Sequence, residues 1–260
     1  MKFQQFMEQG YLILKQDCLK AFIESSELEI FHHNIVSFRE GMRSFFERPA
    51  QERLLFESGD YIFRISGHRP GYWPQGVYKD VYESKQFPVE YFYSQNLYLA
   101  NRNSLFVPEN NFNSEILPEV EKLPHNQGYD IVQFIDSHII SPLVEELRSY
   151  LQPHSLLDYI LQITPVYYRE KAKLNIHRDK SFIQSLVGPA SGFMVQPDLA
   201  TKPKMVNLDT GEILLYAGFQ FQEYFKEEIN SLVKAKPLPH GVISDEDKRM
   251  SIVVITMVQS

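Results

Sequence analysis

The sequence predicts a mainly β protein with α-helices, the helices mostly before about residue 160 and the strands mostly after it. Apolar residues recur at helical spacing from Leu28 to Arg48 and again from Ile131 to Leu147. Short β-type segments bounded by turn residues crowd the C-terminal part, a pattern of sandwiches and barrels rather than of parallel α/β sheets. Phe (19) and Tyr (15) both outnumber Gly (12), which suits a packed α+β or β-rich interior.

The elements follow in order. Gly10-Tyr11-Leu12-Ile13-Leu14-Lys15 is a short apolar run of the kind that forms a buried strand. Ile30, Phe31, Ile35, Phe38, Met42, Phe45 and Phe46 form the core-facing stripe of a helix that stops before Pro49. Ser66 to Gly76 is rich in Gly, Pro and aromatics and reads as a loop with ordered turns. Arg64 just before it, and His68 and Arg69 within it, face either an anionic ligand or solvent, and Tyr72 and Trp73 either a pocket or the core. Asn101 to Asn126 is irregular, interrupted by Pro108, Pro118 and Pro124. A second helix carries Ile131, Phe134, Ile135, His138, Ile139, Leu143 and Leu147 on one side, with Pro142 expected to kink or split it. His125 and His138 have no ligand-type neighbour in the chain and read as structural or solvent-facing. Strands are expected at Leu161–Tyr168, Phe182–Val187, Phe193–Gln196, Lys204–Asn207, Glu212–Tyr216 and Ser251–Val258. Gly188-Pro189, Asp209-Thr210-Gly211, Ala217-Gly218 and His240-Gly241 punctuate them. The chain thus divides into an N-terminal region, 1–122, and a helix plus strand-rich core, 123–260.

Composition narrows the function. The net charge is −7 and no run of like charges stands out, so the chain lacks the basic surface that nucleic acid or an anionic membrane requires. The single cysteine, Cys18, excludes an intramolecular disulfide framework and a cysteine-built zinc or iron–sulfur site. With no signal-peptide pattern at the start and no apolar stretch near the ~18 residues that span a bilayer, the cytoplasm is the expected compartment. A small molecule is the expected partner, and oligomeric state leaves no mark in the sequence.

The chemistry concentrates in the C-terminal part. In Asn175-Ile176-His177-Arg178-Asp179, a strand would point His177 and Asp179 to one side, an imidazole and a carboxylate side by side for a divalent metal. His240 follows in Pro239-His240-Gly241-Val242. Two histidines and one carboxylate on one face of an octahedron leave three positions open, the ligand set of Fe(II) sites that take a cosubstrate and O₂ together. Arg249 and Ser251 again share a strand face, and a guanidinium fork beside a hydroxyl suits a carboxylate clamp. Phe182 and Phe193 line either a substrate pocket or the core.

These motifs, His177/Asp179, His240 and Arg249/Ser251 in that order, resemble the isopenicillin N synthase-like branch of the Fe(II)/2-oxoglutarate-dependent dioxygenases. That branch includes flavonoid and gibberellin oxygenases and aminocyclopropane-carboxylate oxidase. Ser181–Leu186 followed by Ser191–Val195 resembles the family's strand–turn–strand, and Gly211–Tyr216 its strand ahead of the second histidine. Glu8-Gln9-Gly10-Tyr11-Leu12, Phe45–Arg53 and Gly71-Tyr72 extend the likeness to the N-terminal region. The resemblance implies a distorted double-stranded β-helix (jelly roll) with an N-terminal helical region packed on it. It implies Fe(II) on His177, Asp179 and His240, with 2-oxoglutarate and O₂ as cosubstrates. The far carboxylate of 2-oxoglutarate would lie on Arg249, helped by Ser251 and Tyr168. The implied reaction couples oxidative decarboxylation of 2-oxoglutarate to hydroxylation, desaturation or cyclisation of a small organic substrate. Asp179 occupies the position that a halogenase leaves to halide.

Two departures stand out. The family's Asn-Tyr-Tyr-Pro segment is Val166-Tyr167-Tyr168-Arg169 here, and Val166 cannot hydrogen-bond a carboxylate. The family's Asn-Gly and Lys-Ser pairs are replaced around Phe219–Leu238. The alternatives are an Fe(II) oxidase of the same fold that uses no 2-oxoglutarate, and a non-catalytic or zinc-holding jelly roll.

Overall fold

The structure is a computed structural model and describes residues 3–56, 71–74, 89–93, 97–99, 104–106, 122–148, 159–225 and 235–258. The chain opens with helix α1 (Gln4–Gln9), strand β1 (Tyr11–Leu14) and helices α2 (Gln16–Lys20), α3 (Ser25–Phe46) and α4 (Ala50–Leu54). Gly10 caps α1 in the left-handed region (φ 78°), its N–H donating to the Phe6 carbonyl, and this turns the chain into β1. Helix α3 buries Phe31, Ile35, Phe38, Met42, Phe45 and Phe46 as the apolar spacing predicts. Ile30 departs from that expectation and is 62% exposed. One residue along a helix rotates the side chain by about 100°, so Ile30 leaves the stripe to which Phe31 belongs.

Strands β2 (Gly71–Trp73), β3 (Val89–Tyr93), β4 (Leu97–Leu99) and β5 (Ser104–Phe106) follow. Strand β5 lies within the stretch expected to be irregular. Arg64, His68 and Arg69 lie outside the described residues. Helices α5 (His125–Ile135) and α6 (Ser141–Arg148) flank a π-helical turn, Asp136–Ile140. The turn sits just ahead of Pro142, whose ring would clash with the carbonyl four residues back in a regular helix. The helix therefore widens by one residue instead of breaking. The buried Tyr159 hydroxyl donates to Asp136 Oδ1 (2.7 Å) and ties this turn to the first strand of the C-terminal part.

Among the described residues that follow are β6 (Tyr159–Tyr168), β7 (Ala172–His177), β8 (Ile183–Val187), β9 (Ala190–Val195), β10 (Lys204–Leu208), β11 (Ile213–Ala217), α7 (Phe219–Tyr224), β12 (His240–Ser244) and β13 (Arg249–Val258). They form two antiparallel sheets, a large one in the order β1-β11-β8-β13-β6-β3-β2, with β4 and β5 attached beside β6, and a small one in the order β10-β9-β12-β7. This is the jelly roll that the sequence resemblance implies. The N-terminal region supplies strands to it as well as helices: β1 pairs with β11, and β3 pairs with β6. Strands β6 and β13 are buried on both faces, so they read as continuous apolar runs and not as alternating ones. Leu161, Ile163 and Tyr167 pack with α3 and α5 in one core, while Val166 and Tyr168 face the barrel interior with Leu186, Phe193, Val195, Leu214 and Tyr216.

A buried ion cluster fastens the N-terminal region to β6. Glu90 (β3, 3% exposed) receives Arg169 through Nε and through Nη2 (3.2 Å), and lies 3.5 Å from Arg53 Nη2. Arg53 and Arg169 also donate to the Phe46 carbonyl at the end of α3, at 2.9 and 2.6 Å. Arg169 stands where the resembled family has proline, so this departure brings a cation to the joint.

Candidate metal centre

Strands β7 and β12 run antiparallel with His177 directly opposite His240. The pairing, not the sequence spacing, makes these residues neighbours, with ring centroids 4.4 Å apart. Each Nδ1 faces a backbone carbonyl, Asn175 O at 2.9 Å for His177 and Leu238 O at 3.0 Å for His240. An Nδ1–H donated to each carbonyl puts each Nε2 lone pair on the side where a metal could bind. Asp179 offers Oδ1 at 3.5 Å from His177 Nε2 and Oδ2 at 3.1 Å from His240 Nε2. The three ligand atoms lie within 4.8 Å of one another, the one such grouping of three among the described residues.

Asp179 does not lie on a strand with His177, as the spacing suggested. Strand β7 ends at His177, and Asp179 sits in the following loop. The first turn of α7 seats that loop: Phe219 N–H donates to Asp179 O (2.8 Å), Gln220 N–H to Ser181 O (3.2 Å) and Gly218 N–H to Phe182 O (3.1 Å). Gly218 is required by close approach, because a Cβ there would collide with the Ser181 carbonyl and lie 2.9 Å from the Asp179 carbonyl. The sequence marked Ala217-Gly218 only as a turn. Gly218→Ala is expected to weaken divalent-metal binding by about 10–100-fold, the usual effect of disturbing groups that orient ligands. A Mn(II) titration of the variant checks this, and an unchanged affinity would show that the loop does not need this seat.

Electrostatics hold the carboxylate ionised. Burial pushes Asp179 up, but His240 and His177 beside it overcome that and keep it far below the ordinary carboxylate range. Burial pulls His177 down, while the hydrogen bond and charge of Asp179, with the Asn175 carbonyl, bring it above the ordinary histidine value. The surroundings of His240 are aromatic: Phe193 stacks on it at 5.3 Å and the Tyr216 ring lies at 4.7 Å, with the Tyr216 hydroxyl donating to Gln184 Oε1 (2.6 Å).

Arg249 and Ser251 open β13 opposite Tyr168 and Val166 on β6. Arg249 is 4% exposed and its Nε donates to Ser191 O (2.6 Å). Its Nη1 and Nη2, and Ser251 Oγ, are buried with no hydrogen-bond partner among the described residues. The guanidinium lies 4.9 Å over the Tyr168 ring. Burial raises the Tyr168 phenol, Arg249 works against it, and the charge of Asp179 adds to the rise, so Arg249 and Asp179 act on the same phenol. A buried guanidinium with two open donors costs several kcal/mol of desolvation, of order 1–3 per unmet group; a carboxylate accepting both in bidentate fashion removes that cost. The donor set therefore fits the far carboxylate of 2-oxoglutarate, and the triad fits Fe(II).

The remaining sequence candidates separate by side of the sheet. Phe193 adjoins His240, and Trp73 packs against the Ile160, Ile255 and Met257 cluster. Phe182 packs with Phe221 and Phe225 in the helix-covered core, and the Tyr72 hydroxyl accepts from Arg53 Nε (3.2 Å), so both are core residues. The His138 ring lies 4.7 Å from Phe134, tilted against it, and its Nε2 is 3.9 Å from Glu27, a structural position.

No family model and no curated protein matches the sequence. Solved structures do match. JOX2 in complex with 2OG, Fe and JA superposes with a TM-score of 0.60 at 14% identity, over 99% of this chain and 70% of that one. The rice dioxygenase for auxin oxidation gives 0.58 at 13% identity, over 99% and 76%. Arabidopsis thaliana dioxygenase for auxin oxidation 1, bound to 2-oxoglutarate, gives 0.60 at 12% identity, over 99% and 86%. The fold is that of the 2-oxoglutarate/Fe(II) oxygenases. Among the described residues no helix is long and apolar enough to cross a membrane.

Proposed function

We propose that this chain is a non-haem Fe(II) oxygenase that couples oxidative decarboxylation of 2-oxoglutarate to C–H oxidation of a small organic substrate. One observation carries the reading beyond a bare metal site: the buried Arg249 fork, with both terminal nitrogens open, lies over Tyr168, whose phenol also feels the charge of Asp179. A purely structural metal site has no use for such a clamp. The fold likeness to 2OG-bound oxygenases supports the same reading.

In this assignment His177, Asp179 and His240 hold Fe(II), which when bound supplies oxidative decarboxylation of the 2-oxo acid and the oxidising power for the substrate. The backbone carbonyls of Asn175 and Leu238 orient the imidazoles, and the α7 turn fixes the Asp179 loop. Arg249, stacked on Tyr168 and tethered to Ser191, binds the far carboxylate with help from Ser251 and Tyr168. Val166 and Tyr168, with Phe193 and Tyr216, give the interior apolar walls that exclude water from the site.

The test is succinate formation from 2-oxoglutarate with Fe(II) and O₂, compared between the unaltered protein and Arg249→Met. Succinate from the first and at least about 100-fold less from the second is expected, since the loss of a charged contact of this kind costs about 3 kcal/mol or more. Val166 specifically favours a second reading, an Fe(II) oxidase that uses its substrate as the electron source. Substrate-dependent O₂ uptake that neither needs 2-oxoglutarate nor yields succinate would establish that reading in place of the first.

A further inference from the structure

Two arginines from distant parts of the chain hold carbonyls two residues apart where β8 turns into β9. Arg249 Nε donates to Ser191 O (2.6 Å), and Arg39 Nη1, from α3, donates to Pro189 O (3.0 Å). Pro189 lies in the bend and Ser191 at the start of β9, so the two cations hold neighbouring points of one turn. Its other supports lie elsewhere: Gly188 N–H donates to Glu212 O (2.8 Å), and Ser191 Oγ donates to Glu246 Oε1 (3.1 Å).

We infer that Arg39 is a positioning residue for the anion clamp: by holding Pro189 O it sets the turn whose Ser191 carbonyl orients Arg249, and so aims Nη1 and Nη2 at the far carboxylate of the cosubstrate. This rests on the reading of Arg249 given above. Bidentate pairing needs the guanidinium plane aligned with the carboxylate, and the Nε tether to Ser191 fixes that plane together with the Tyr168 ring. Arg39 also adds positive charge at this end of the barrel. Burial first, then Arg43 and Arg249, lower its pKa to about 10 against the opposing pull of Glu246, which leaves it cationic at neutral pH. Helix α3 thereby takes part in cosubstrate binding without touching the cosubstrate.

Calorimetric titration of the Mn(II)-loaded protein tests this without turnover. The probes are 2-oxoglutarate and 2-oxopentanoate, which has the same 2-oxo acid head and no far carboxylate. Arg39→Met is expected to weaken 2-oxoglutarate binding by about 10-fold, the low end for loss of an orienting partner, and to leave Mn(II) and 2-oxopentanoate binding unchanged. Arg39→Gln keeps an amide donor for Pro189 O and should recover part of the loss. If Arg39→Met binds 2-oxoglutarate as the unaltered protein does, or loses Mn(II), 2-oxopentanoate and 2-oxoglutarate binding alike in both variants, Arg39 does not position the clamp. If the unaltered protein binds neither 2-oxo acid, the 2-oxoglutarate reading itself fails and this inference falls with it.

Discussion

Asp179→Ala is expected to lower Fe(II) affinity by at least about 100-fold and abolish metal-dependent turnover, because disturbing groups that merely orient a ligand already costs about 10–100-fold. Asp179 is the one anion of the triad, and its carboxylate reaches both imidazoles, Oδ1 to His177 and Oδ2 to His240. Its removal takes away the proposed anionic ligand and its ion pairs to both imidazoles, which the β7–β12 pairing alone then holds side by side. The main-chain seat on α7 does not depend on the side chain, so the loop should stay in place. Metal titration followed by far-UV circular dichroism separates the two effects: affinity collapses while the spectrum is retained. Full activity in the variant would remove Asp179, and with it the proposed centre, from the reaction.

The largest expected effect on stability comes from Glu90→Ala. Removing one member of a buried ion group costs about 3–5 kcal/mol, because its partners stay buried and uncompensated. Glu90 serves both Arg53 and Arg169, and Arg53 is itself buried, 5% exposed. The melting temperature should fall by roughly 6–20 °C, at about 2–4 °C per kcal/mol for a chain of this size. The carboxylate joins β3 to β6 immediately beyond Tyr168, so the N-terminal strands should loosen before the sheet of β7 and β12 does. Amide hydrogen exchange tests that order. A fall in melting temperature below a few degrees would mean that apolar packing, with Phe45, Phe46 and Tyr167 at its centre, holds this joint without the charges.

Much of the fold is legible in local pattern. Helical spacing places α3 and the α5–α6 pair, and the turn residues separate the strands to within two residues at most ends. What pattern could not resolve has a common cause. Phe182, just ahead of β8, enters the helix-covered core, and Phe193, on β9 of the small sheet, enters the barrel interior; both surroundings are apolar, so the two look alike in sequence. Ile30 sits one residue off its stripe, and Asp179 one loop past its strand. Both depend on where an element turns or stops, which tertiary packing sets.

By itself the sequence determined which residue types are present for chemistry: a His-X-Asp, a distal histidine and an Arg-X-Ser, in an order that resembles one family of iron enzymes. It also determined the departures, Val166 and Arg169. Only the tertiary structure decided that His177 and His240 are cross-strand neighbours, that an α7 turn backed by Gly218 carries Asp179, and that Arg39 and Arg249 grip the same turn. The reason is physical. Ligand identity is a property of single side chains, whereas their convergence to within 4.8 Å depends on strand register and main-chain hydrogen bonds between segments far apart in the chain.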